Sequence, residues 1–327
     1  MMQAIVMRDY GGPEVLVPGT VPDPQQRDGW TTVRLGASAL NWHDTLARRG
    51  VYHSPLPAVL GADGAGTLVE TGEDVVILPS LFWGARESAP AAGFEILGDH
   101  RSGTYAEYVS VPDECLFPRP AGLGLHEAAA FGLVGVTAYR ALFTRGRLTA
   151  GESLLVLGAS GGVATMAVSL AAAVGATVTV TSASEAKIDR ARELGARAGV
   201  DHSAPDWVEQ ARKLTPGGEG FDLVLDPVGR VGESLGALRA GGRCVVLGAN
   251  AQETTPLEVR PFYFGQHDLL GTTMGSPRDF AGLLRLVNER TVRPPIIDRT
   301  YPLDQAAEAH RYLESGAGFG KIVLDHG

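Results

Sequence analysis

The stretch LLVLGASGGVATMAVSL, residues 154–170, decides the fold of this 327-residue chain. An apolar run typical of a buried strand leads into the glycine-rich turn GASGG, and an alanine-rich helical run follows. Strand, glycine turn and helix in this order begin a βαβ unit, and the helix start directs free N–H groups at an anion. The stretch therefore predicts a phosphate-binding turn, with contacts from Ser160, Gly161, Gly162 and Val163. A tight turn without a ligand is the ordinary alternative.

Strands and helices alternate on the carboxyl side of this turn. We expect strands at 177–182, 221–226 and 243–248, helices at 185–194, 206–215 and 231–238, and an alanine-rich helix at 127–143 before the turn. Strands that alternate with helices require parallel pairing with crossover connections. The central part of the chain is therefore predicted to be an α/β domain with a doubly wound parallel sheet.

The first 120 residues have a different texture. Short apolar segments at 3–7, 31–40, 64–70, 74–79 and 104–111 are separated by Gly and Pro, which is typical of an antiparallel, barrel-like domain. Near the other end, Ser276 and Pro277 fit the start of a helix that runs to Glu289. We expect the later strand material to return to the first domain. We therefore predict a catalytic domain of residues 1–122 and 273–327, and a cofactor domain of residues 123–272 inserted in it.

Composition excludes several classes of function. The chain has 28 Lys and Arg against 37 Asp and Glu, a formal net charge of −9, which argues against a nucleic-acid partner. Its two cysteines lack the spacing of a metal or redox motif. We find neither a signal-like N-terminus nor an apolar run of the ~18 residues that a membrane span needs. We therefore expect a cytoplasmic protein without membrane contact.

The end of the second parallel strand bears on the choice of dinucleotide. Ser182 lies where an NAD-binding protein usually carries Asp or Glu, and a carboxylate there would repel a 2′-phosphate. Lys187 is a candidate counter-charge for that phosphate, and His202 is a candidate contact on the adenine side. These residues favour NADP(H), although Glu185 weighs against it. The alternative for Lys187 is a solvated residue on a helix.

Several stretches together resemble the medium-chain dehydrogenase/reductase superfamily, and within it the zinc-independent quinone oxidoreductase-like branch. They are YGGPEVL (10–16), ALNWHDTLARRGVY (39–52), LPAVLGADGAGTLVETG (56–72), GTYAEYVSVP (103–112), EAAAFGLVGVTAYRAL (127–142), GASGGVA (158–164), FDLVLDPVG (221–229) and FGKIVL (319–324). The resemblance covers nearly the full length. It implies a GroES-like β-barrel with an inserted Rossmann domain, an active site in the cleft between them, and a homodimer.

The resemblance also bears on metal content. The positions of the catalytic zinc ligands in zinc-bearing relatives correspond here to Asn41, Ala62 and Leu133. Alanine and leucine cannot ligate a metal, and asparagine is a poor zinc ligand. The prediction is a site without zinc. Asp63 matches an acidic position beside the metal, and His43 lies nearby in the sequence, so an opportunistic ion is the alternative.

Further site residues follow from the same resemblance. Tyr52 matches a tyrosine that contacts substrate or donates a proton in some relatives, Asn41 is a candidate donor to the substrate oxygen, and His43 with Asp44 is a candidate relay to solvent. Ordinary alternatives are a core-edge Tyr52, an Asn41 that satisfies loop backbone, and an Asp44 that caps a helix. The residues expected around the nicotinamide are Thr137, Gly248, Ala249, Thr273, Met274, Gly275, Phe319 and Lys321.

Without a Lewis acid, reduction of an activated acceptor is more plausible than oxidation of an alcohol, because a quinone or enone takes up the hydride's charge on its own oxygen. We therefore expect an NADPH-dependent reductase that transfers hydride to a quinone or an α,β-unsaturated carbonyl or enoyl acceptor. Two alternatives stay open: an alcohol or aldehyde dehydrogenase-reductase, and a nicotinamide-binding protein with little turnover.

Overall fold

The computed structural model describes residues 1–290 and 292–327, which fold into two compact units. The first unit contains Met1–Val136, Gly275–Leu284 and Pro294–Gly327. The second unit contains Thr137–Met274 and Arg285–Arg293. The chain therefore leaves the first unit after Val136 and returns at Gly275, then leaves it again after Leu284 and returns at Pro294.

The strands of the described residues, in chain order, are β1 (Met2–Met7), β2 (Leu16–Val21), β3 (Trp30–Ala39), β4 (Asp63–Leu68), β5 (Asp74–Ile77), β6 (Ser80–Leu81), β7 (Glu95–Ile96), β8 (Tyr108–Pro112), β9 (Leu116–Pro118), β10 (Ser153–Val156), β11 (Thr177–Thr181), β12 (Ala198–Val200), β13 (Phe221–Asp226), β14 (Leu238–Val246), β15 (Asp268–Gly271), β16 (Ile297–Pro302) and β17 (Lys321–Asp325). The α-helices are α1 (Trp42–Arg48), α2 (Leu125–Ala129), α3 (Gly132–Tyr139), α4 (Gly162–Ala173), α5 (Glu185–Leu194), α6 (Trp207–Arg212), α7 (Val231–Ala237), α8 (Val259–Phe264), α9 (Pro277–Glu289) and α10 (Ala306–Glu314). None of these helices is long and apolar enough to cross a membrane.

A six-stranded sheet forms the centre of the second unit, in the order β12-β11-β10-β13-β14-β15. All five pairings are parallel, and β10 is buried over its whole length, as expected for strands covered on both faces. The strand order reverses between β10 and β13, and ligands of doubly wound sheets bind at such a switch point. The predicted doubly wound fold is confirmed, and the glycine turn after β10 lies at this switch point.

The first unit is mainly antiparallel β structure. Its largest sheet has the order β16-β17-β3-β4-β5-β9, and β8 also pairs with β3. Because β17 pairs with β3 in antiparallel register, the carboxyl end of the chain does return to the first domain, as predicted. Leu40, Leu60, Tyr105, Ile322 and Leu324 belong to one buried core that unites both ends of the sequence. This core supports the segments that carry the candidate catalytic residues.

The helix predicted at 127–143 is divided in the structure. Helix α2 ends at Ala129, α3 begins at Gly132, and a wider π-helical segment continues over Arg140–Arg145. A Cβ at Gly132 would lie 2.7 Å from the carbonyl oxygen of Ile77 and 2.8 Å from Oδ1 of Asp63. The start of α3 therefore approaches β4 and β5 so closely that only glycine fits.

Two further boundaries differ from the sequence analysis. The first unit extends to Val136 rather than to residue 122, because α2 packs against β3 and β4. The strand expected at 104–111 begins only at Tyr108, since Thr104 and Tyr105 donate their backbone N–H groups to the carbonyl oxygens of Gly61 and Leu60. The helix from Pro277 to Glu289 is confirmed, and Oγ of Ser276 accepts the N–H of Asp279 at 3.1 Å as its cap.

Candidate active site

Asp63 is the centre of a buried polar cluster in the first unit. Its Oδ1 accepts the backbone N–H of Leu133 at 2.6 Å, and its Oδ2 accepts Nδ2 of Asn41 at 2.9 Å and Nζ of Lys321 at 3.2 Å. The ammonium of Lys321 also donates to the carbonyl oxygen of Leu40 at 2.6 Å and to Oδ1 of Asn41 at 2.5 Å. The side chains of Lys321 and Asp63 are 4% and 0% exposed. All three ammonium hydrogens therefore have protein acceptors.

The cluster fixes the orientation of the Asn41 amide. Its oxygen faces the ammonium of Lys321, and its nitrogen faces the carboxylate of Asp63. If the amide were flipped, its nitrogen would face the ammonium and its oxygen would face the carboxylate, so no hydrogen bond could form at either position. The second amide hydrogen is directed at the carbonyl oxygen of Ala39, 3.5 Å away. The expected donor to a substrate oxygen is therefore already engaged by protein oxygens, which favours the alternative in which Asn41 organises its own loop.

The three positions that the resemblance equates with zinc ligands lie around Asp63, but their chemistry does not fit a zinc ion. Asn41 and Leu133 both bond Asp63, Ala62 precedes it, and the side chains of Ala62 and Leu133 have no metal-ligating atom. The ammonium of Lys321 adds a positive charge at this point. Within residues 1–290 and 292–327, no group of three His, Cys, Asp or Glu side chains could hold a metal. The metal-free site remains a prediction.

Tyr52, His43 and Asp99 form a second group in the first unit. Nε2 of His43 lies 2.7 Å from Oδ1 of Asp99, and the imidazole stacks on the ring of Tyr52 with centroids 4.6 Å apart and an interplanar angle of 22°. Burial disfavours the charged imidazole, but the hydrogen bond and charge of Asp99 and the charge of Asp44 outweigh it and raise the pKa of His43. Burial, and then the charge of Asp99, raise the pKa of Tyr52. Tyr52 thus stays protonated at neutral pH.

Asp44 is not the direct partner of His43 that the expected relay requires. Its Oδ2 accepts the backbone N–H of Asn41 at 2.7 Å, which closes the first turn of α1, and the hydroxyl of Tyr105 at 3.3 Å. Burial raises the pKa of Asp44 to about 6, against the opposing charge of His43. The imidazole contacts Asp99 instead. Sequence reasoning missed Asp99 because it lies in an irregular loop after Gly98, where no periodic pattern marks a buried acid.

The glycine turn has the geometry of a phosphate cradle in the second unit. Gly161 is the N-cap of α4 with no side-chain cap, and a Cβ on Gly161 would meet no atom within 4 Å. Gly162 begins the helix, Val163 follows it, and Ser160 precedes the cap. The first N–H groups of this twelve-residue helix face open space, and that space fits a pyrophosphate. These residues fit a dinucleotide cofactor.

The structure gathers the predicted adenine-side residues at the carboxyl ends of β11 and β12. Ser182 is buried, and its Oγ accepts the N–H of Ser184 at 3.1 Å, so it anchors the turn into α5. Nδ1 of His202 lies 3.4 Å from Oγ1 of Thr181, and burial followed by the charge of Arg230 lowers the pKa of His202. Lys187 is half-buried in the first turns of α5.

The predicted nicotinamide-side residues divide between the two units. In the second unit, Oγ1 of Thr137 lies 3.8 Å from Sδ of Met274, and a Cβ on Gly248 would lie 2.1 Å from the carbonyl oxygen of Pro227. Ala249 and Thr273 are exposed there, whereas Gly275, Phe319 and Lys321 belong to the first unit and are buried. Phe319 is 1% exposed and Lys321 is saturated by the Asp63 cluster, so a cofactor contact from either would need a change in packing.

Comparison with known proteins assigns the family. A model described as the alcohol dehydrogenase GroES-like domain matches residues 27–121, and a zinc-binding dehydrogenase model matches residues 162–289. A zinc-type alcohol dehydrogenase-like protein of Schizosaccharomyces pombe is 31% identical over 99% of both chains. The chain belongs to the medium-chain dehydrogenase/reductase superfamily. Further members of the superfamily that resemble it include quinone oxidoreductase of Mus musculus, 32% identical over 99% of this chain and 98% of that protein.

A solved structure of the superfamily supports the same fold. A protein described as an NAD-dependent alcohol dehydrogenase has a TM-score of 0.93 and 39% identity to this chain, with 100% of both chains covered. The GroES-like first unit and the Rossmann second unit predicted from the sequence are therefore confirmed. The chain is an oxidoreductase of this superfamily.

Proposed function

We propose that this oxidoreductase is a zinc-free, NADPH-dependent reductase of quinones or of α,β-unsaturated carbonyl or enoyl acceptors. The observation that carries the proposal is the Asp63 cluster, in which an ammonium, an amide and a leucine backbone N–H surround the carboxylate. Asn41 and Leu133 in this cluster are positions that the resemblance equates with zinc ligands. An alkoxide has no Lewis acid there to stabilise it, whereas an enolate or a hydroquinone anion is stabilised within the acceptor itself.

The chain's own residues supply binding and the proton. Ser160, Gly161, Gly162 and Val163 would hold the pyrophosphate through backbone N–H groups. When bound, the reduced nicotinamide supplies the hydride. Tyr52 is the candidate proton donor, because it keeps 38% of its surface exposed and its raised pKa keeps the hydroxyl protonated at neutral pH.

The preference for NADPH is part of the proposal. Ser182, where a carboxylate would repel a 2′-phosphate, and the half-buried Lys187 support it. Thr137, His202, Gly248, Ala249, Thr273, Met274 and Gly275 are proposed to complete the cofactor site. Phe319 and Lys321 were also expected around the nicotinamide, but both are buried, so we propose no direct cofactor contact for them.

A second candidate function is an alcohol or aldehyde dehydrogenase-reductase. The solved relative with 39% identity is described as an NAD-dependent alcohol dehydrogenase. This description favours alcohol oxidation, with NAD rather than NADPH as the cofactor. A parallel assay separates the two candidates. If the reductase proposal is right, NADPH is oxidised with quinones, enones or enoyl thioesters but little with aldehydes. NAD-linked oxidation of alcohols would support the alcohol dehydrogenase alternative.

Tyr52→Phe tests the proton donor. Loss of the hydroxyl removes the proposed acid but keeps the ring that stacks on His43, so we expect lower kcat with nearly unchanged NADPH affinity. Steady-state kinetics with the best acceptor and a fluorescence titration with NADPH provide the two readouts. Unchanged kcat would remove Tyr52 from the mechanism.

We also propose that the protein is a homodimer. Strand β15 is an edge strand of the Rossmann sheet, and exposed apolar side chains lie on it and on the preceding helix, namely Leu269, Val259 and Phe264. An unpaired edge with apolar neighbours is a surface that a second copy covers. Sedimentation velocity of the wild type, compared with Phe264→Glu, tests this.

A further inference from the structure

The contact between His43 and Asp99 joins residues 56 positions apart in the sequence. Only 12% of the His43 side chain and 10% of the Asp99 side chain are exposed. The N–H of Asp99 donates to the carbonyl oxygen of Ile96 at 3.1 Å, so the loop after β7 is folded to present this carboxylate. The hydrogen bond occupies Nε2 and leaves Nδ1, the other ring nitrogen, for water or a ligand.

The same imidazole has a second neighbour. The Tyr52 ring stacks on it at 4.6 Å, and the π-face of a phenol attracts a cation. The charged groups that act on His43 are Asp99, which bonds it, and Asp44 on its own helix α1. Both are negative. The carboxylates and the ring face therefore all favour the imidazolium, and burial alone opposes it.

Tyr52 needs such a cation to act as an acid. Burial and the negative charge of Asp99 raise the pKa of Tyr52, which makes its phenol a weaker donor. A positive imidazole against the ring would oppose both effects, because it stabilises the phenolate that proton donation leaves behind. The partial exposure of Tyr52 gives the phenolate access to a water that returns the proton.

We propose that Asp99 is a positioning residue that holds His43 as an imidazolium against Tyr52, and that this charge makes Tyr52 competent as the proton donor. The inference rests on the proposed reductase function. In the step, the O–H bond of Tyr52 breaks, the proton bonds to the carbon or oxygen of the acceptor anion, and the electron pair stays on the phenolate oxygen. A solvent proton then restores the phenol.

The first test needs no turnover. We would follow the eight histidines by NMR in labelled protein and assign His43 by its loss in His43→Gln. We expect the pKa of His43 to lie above 6.5 in the wild type and to fall by about one unit or more in Asp99→Asn, which keeps the shape but not the charge. Glu95→Gln is the matched control, because it removes a carboxylate that is paired with Arg101 and lies on β7 just before this loop; it should leave the pKa of His43 unchanged.

The second test is the pH profile of kcat with the best acceptor. We expect activity to fall as pH rises through the pKa of His43, and Asp99→Asn to move this fall to lower pH while KM changes little. In a Tyr52→Phe background the Asp99→Asn change should have no further effect on kcat, because the group on which it acts is gone. His43→Gln should lower kcat as strongly as Tyr52→Phe does.

The two tests separate the inference from the proposed function. A wild type that oxidises NADPH with none of the acceptors overturns the proposed function, and the NMR titration still decides whether Asp99 holds a charged His43. A wild type that turns over while His43 titrates at 6.5 or below, unaffected by Asp99→Asn, overturns the inference. A shifted pKa with an unshifted pH profile overturns the role of the pair in proton donation.

Discussion

Lys321 introduces a positive charge into the interior of the first unit, and its energetic role can be measured. Its ammonium has three oxygen partners, and Asp63 shares its own carboxylate among three donors. Removing one partner of a buried ion pair leaves an uncompensated charge, at a cost of about 3–5 kcal/mol. A buried pair of this kind supports one particular arrangement of the loop around Asn41.

Lys321→Met should therefore destabilise the protein by about 3–5 kcal/mol in urea unfolding followed by circular dichroism. The double variant Lys321→Met with Asp63→Asn should recover part of this loss, because the unpaired carboxylate is gone. A single variant as stable as the wild type would show that the ammonium is not held in this cluster.

The proposed preference for NADPH depends on Lys187. Only NADPH carries a 2′-phosphate, so Lys187→Ala should weaken NADPH binding by roughly 1 kcal/mol or more and NADH binding far less. Lys213 is the C-cap of helix α6 in the same unit and forms an exposed pair with Glu209, so Lys213→Ala is the matched control. Calorimetric titrations of both variants with both cofactors measure the difference. Equal losses for NADPH and NADH would refute the role of Lys187.

At the scale of single elements, the proposed cofactor binding depends on the turn from β10 into α4. Gly161 has φ −69° and ψ 154°, a conformation open to any residue, and nothing lies near a Cβ built there. Gly161→Ala should therefore cost the fold no more than about 1 kcal/mol, the difference between Gly and Ala at an N-cap.

The same methyl group would occupy the space that a pyrophosphate needs. We expect Gly161→Ala to raise the Kd for NADPH roughly tenfold, equivalent to 1.4 kcal/mol, with a nearly unchanged melting temperature. Gly124→Ala is a matched control, since Gly124 is also an N-cap with little around it, in front of α2. Equal NADPH affinity in both variants would argue against the cradle.

The elements also differ in how well the sequence predicts them. Strand β13 and helices α5 and α9 begin and end where the pattern places them, because their apolar periodicity and caps act locally. The break between α2 and α3 depends on the approach of Gly132 to Asp63, which no local pattern encodes. Within the site, Tyr52 and His43 could be selected from the sequence, but Asp99 could not, since its partner is distant along the chain.

At the scale of the whole molecule, two buried ionisable groups give stability an opposing pH dependence. Burial lowers the pKa of His310 to about 3 from its usual 6.5, so its contribution is complete above 6.5 and is lost as pH falls towards 3. Burial raises the pKa of Asp44 to about 6, so its contribution is complete below 3.8 and is lost as pH rises through about 6. Tyr105 lies 3.3 Å from both.

His310→Gln should therefore make the protein less sensitive to acid. Glutamine can still bond the hydroxyl of Tyr105 but takes up no proton, so the urea midpoint should fall less between neutral pH and about pH 4 than in the wild type. Asp44→Asn is the complementary variant, and it should reduce the loss of stability that accompanies rising pH in this range. Parallel curves for wild type and His310→Gln would contradict the assignment of a neutral buried histidine.

The most direct test of the central claim is NADPH oxidation by protein freed of metal with a chelator, measured against a quinone and an enone. We expect steady turnover of at least one of these acceptors, and this turnover should not change when zinc is added back. Activity that appears only after zinc is restored, or that is confined to alcohols with NAD⁺, would contradict it.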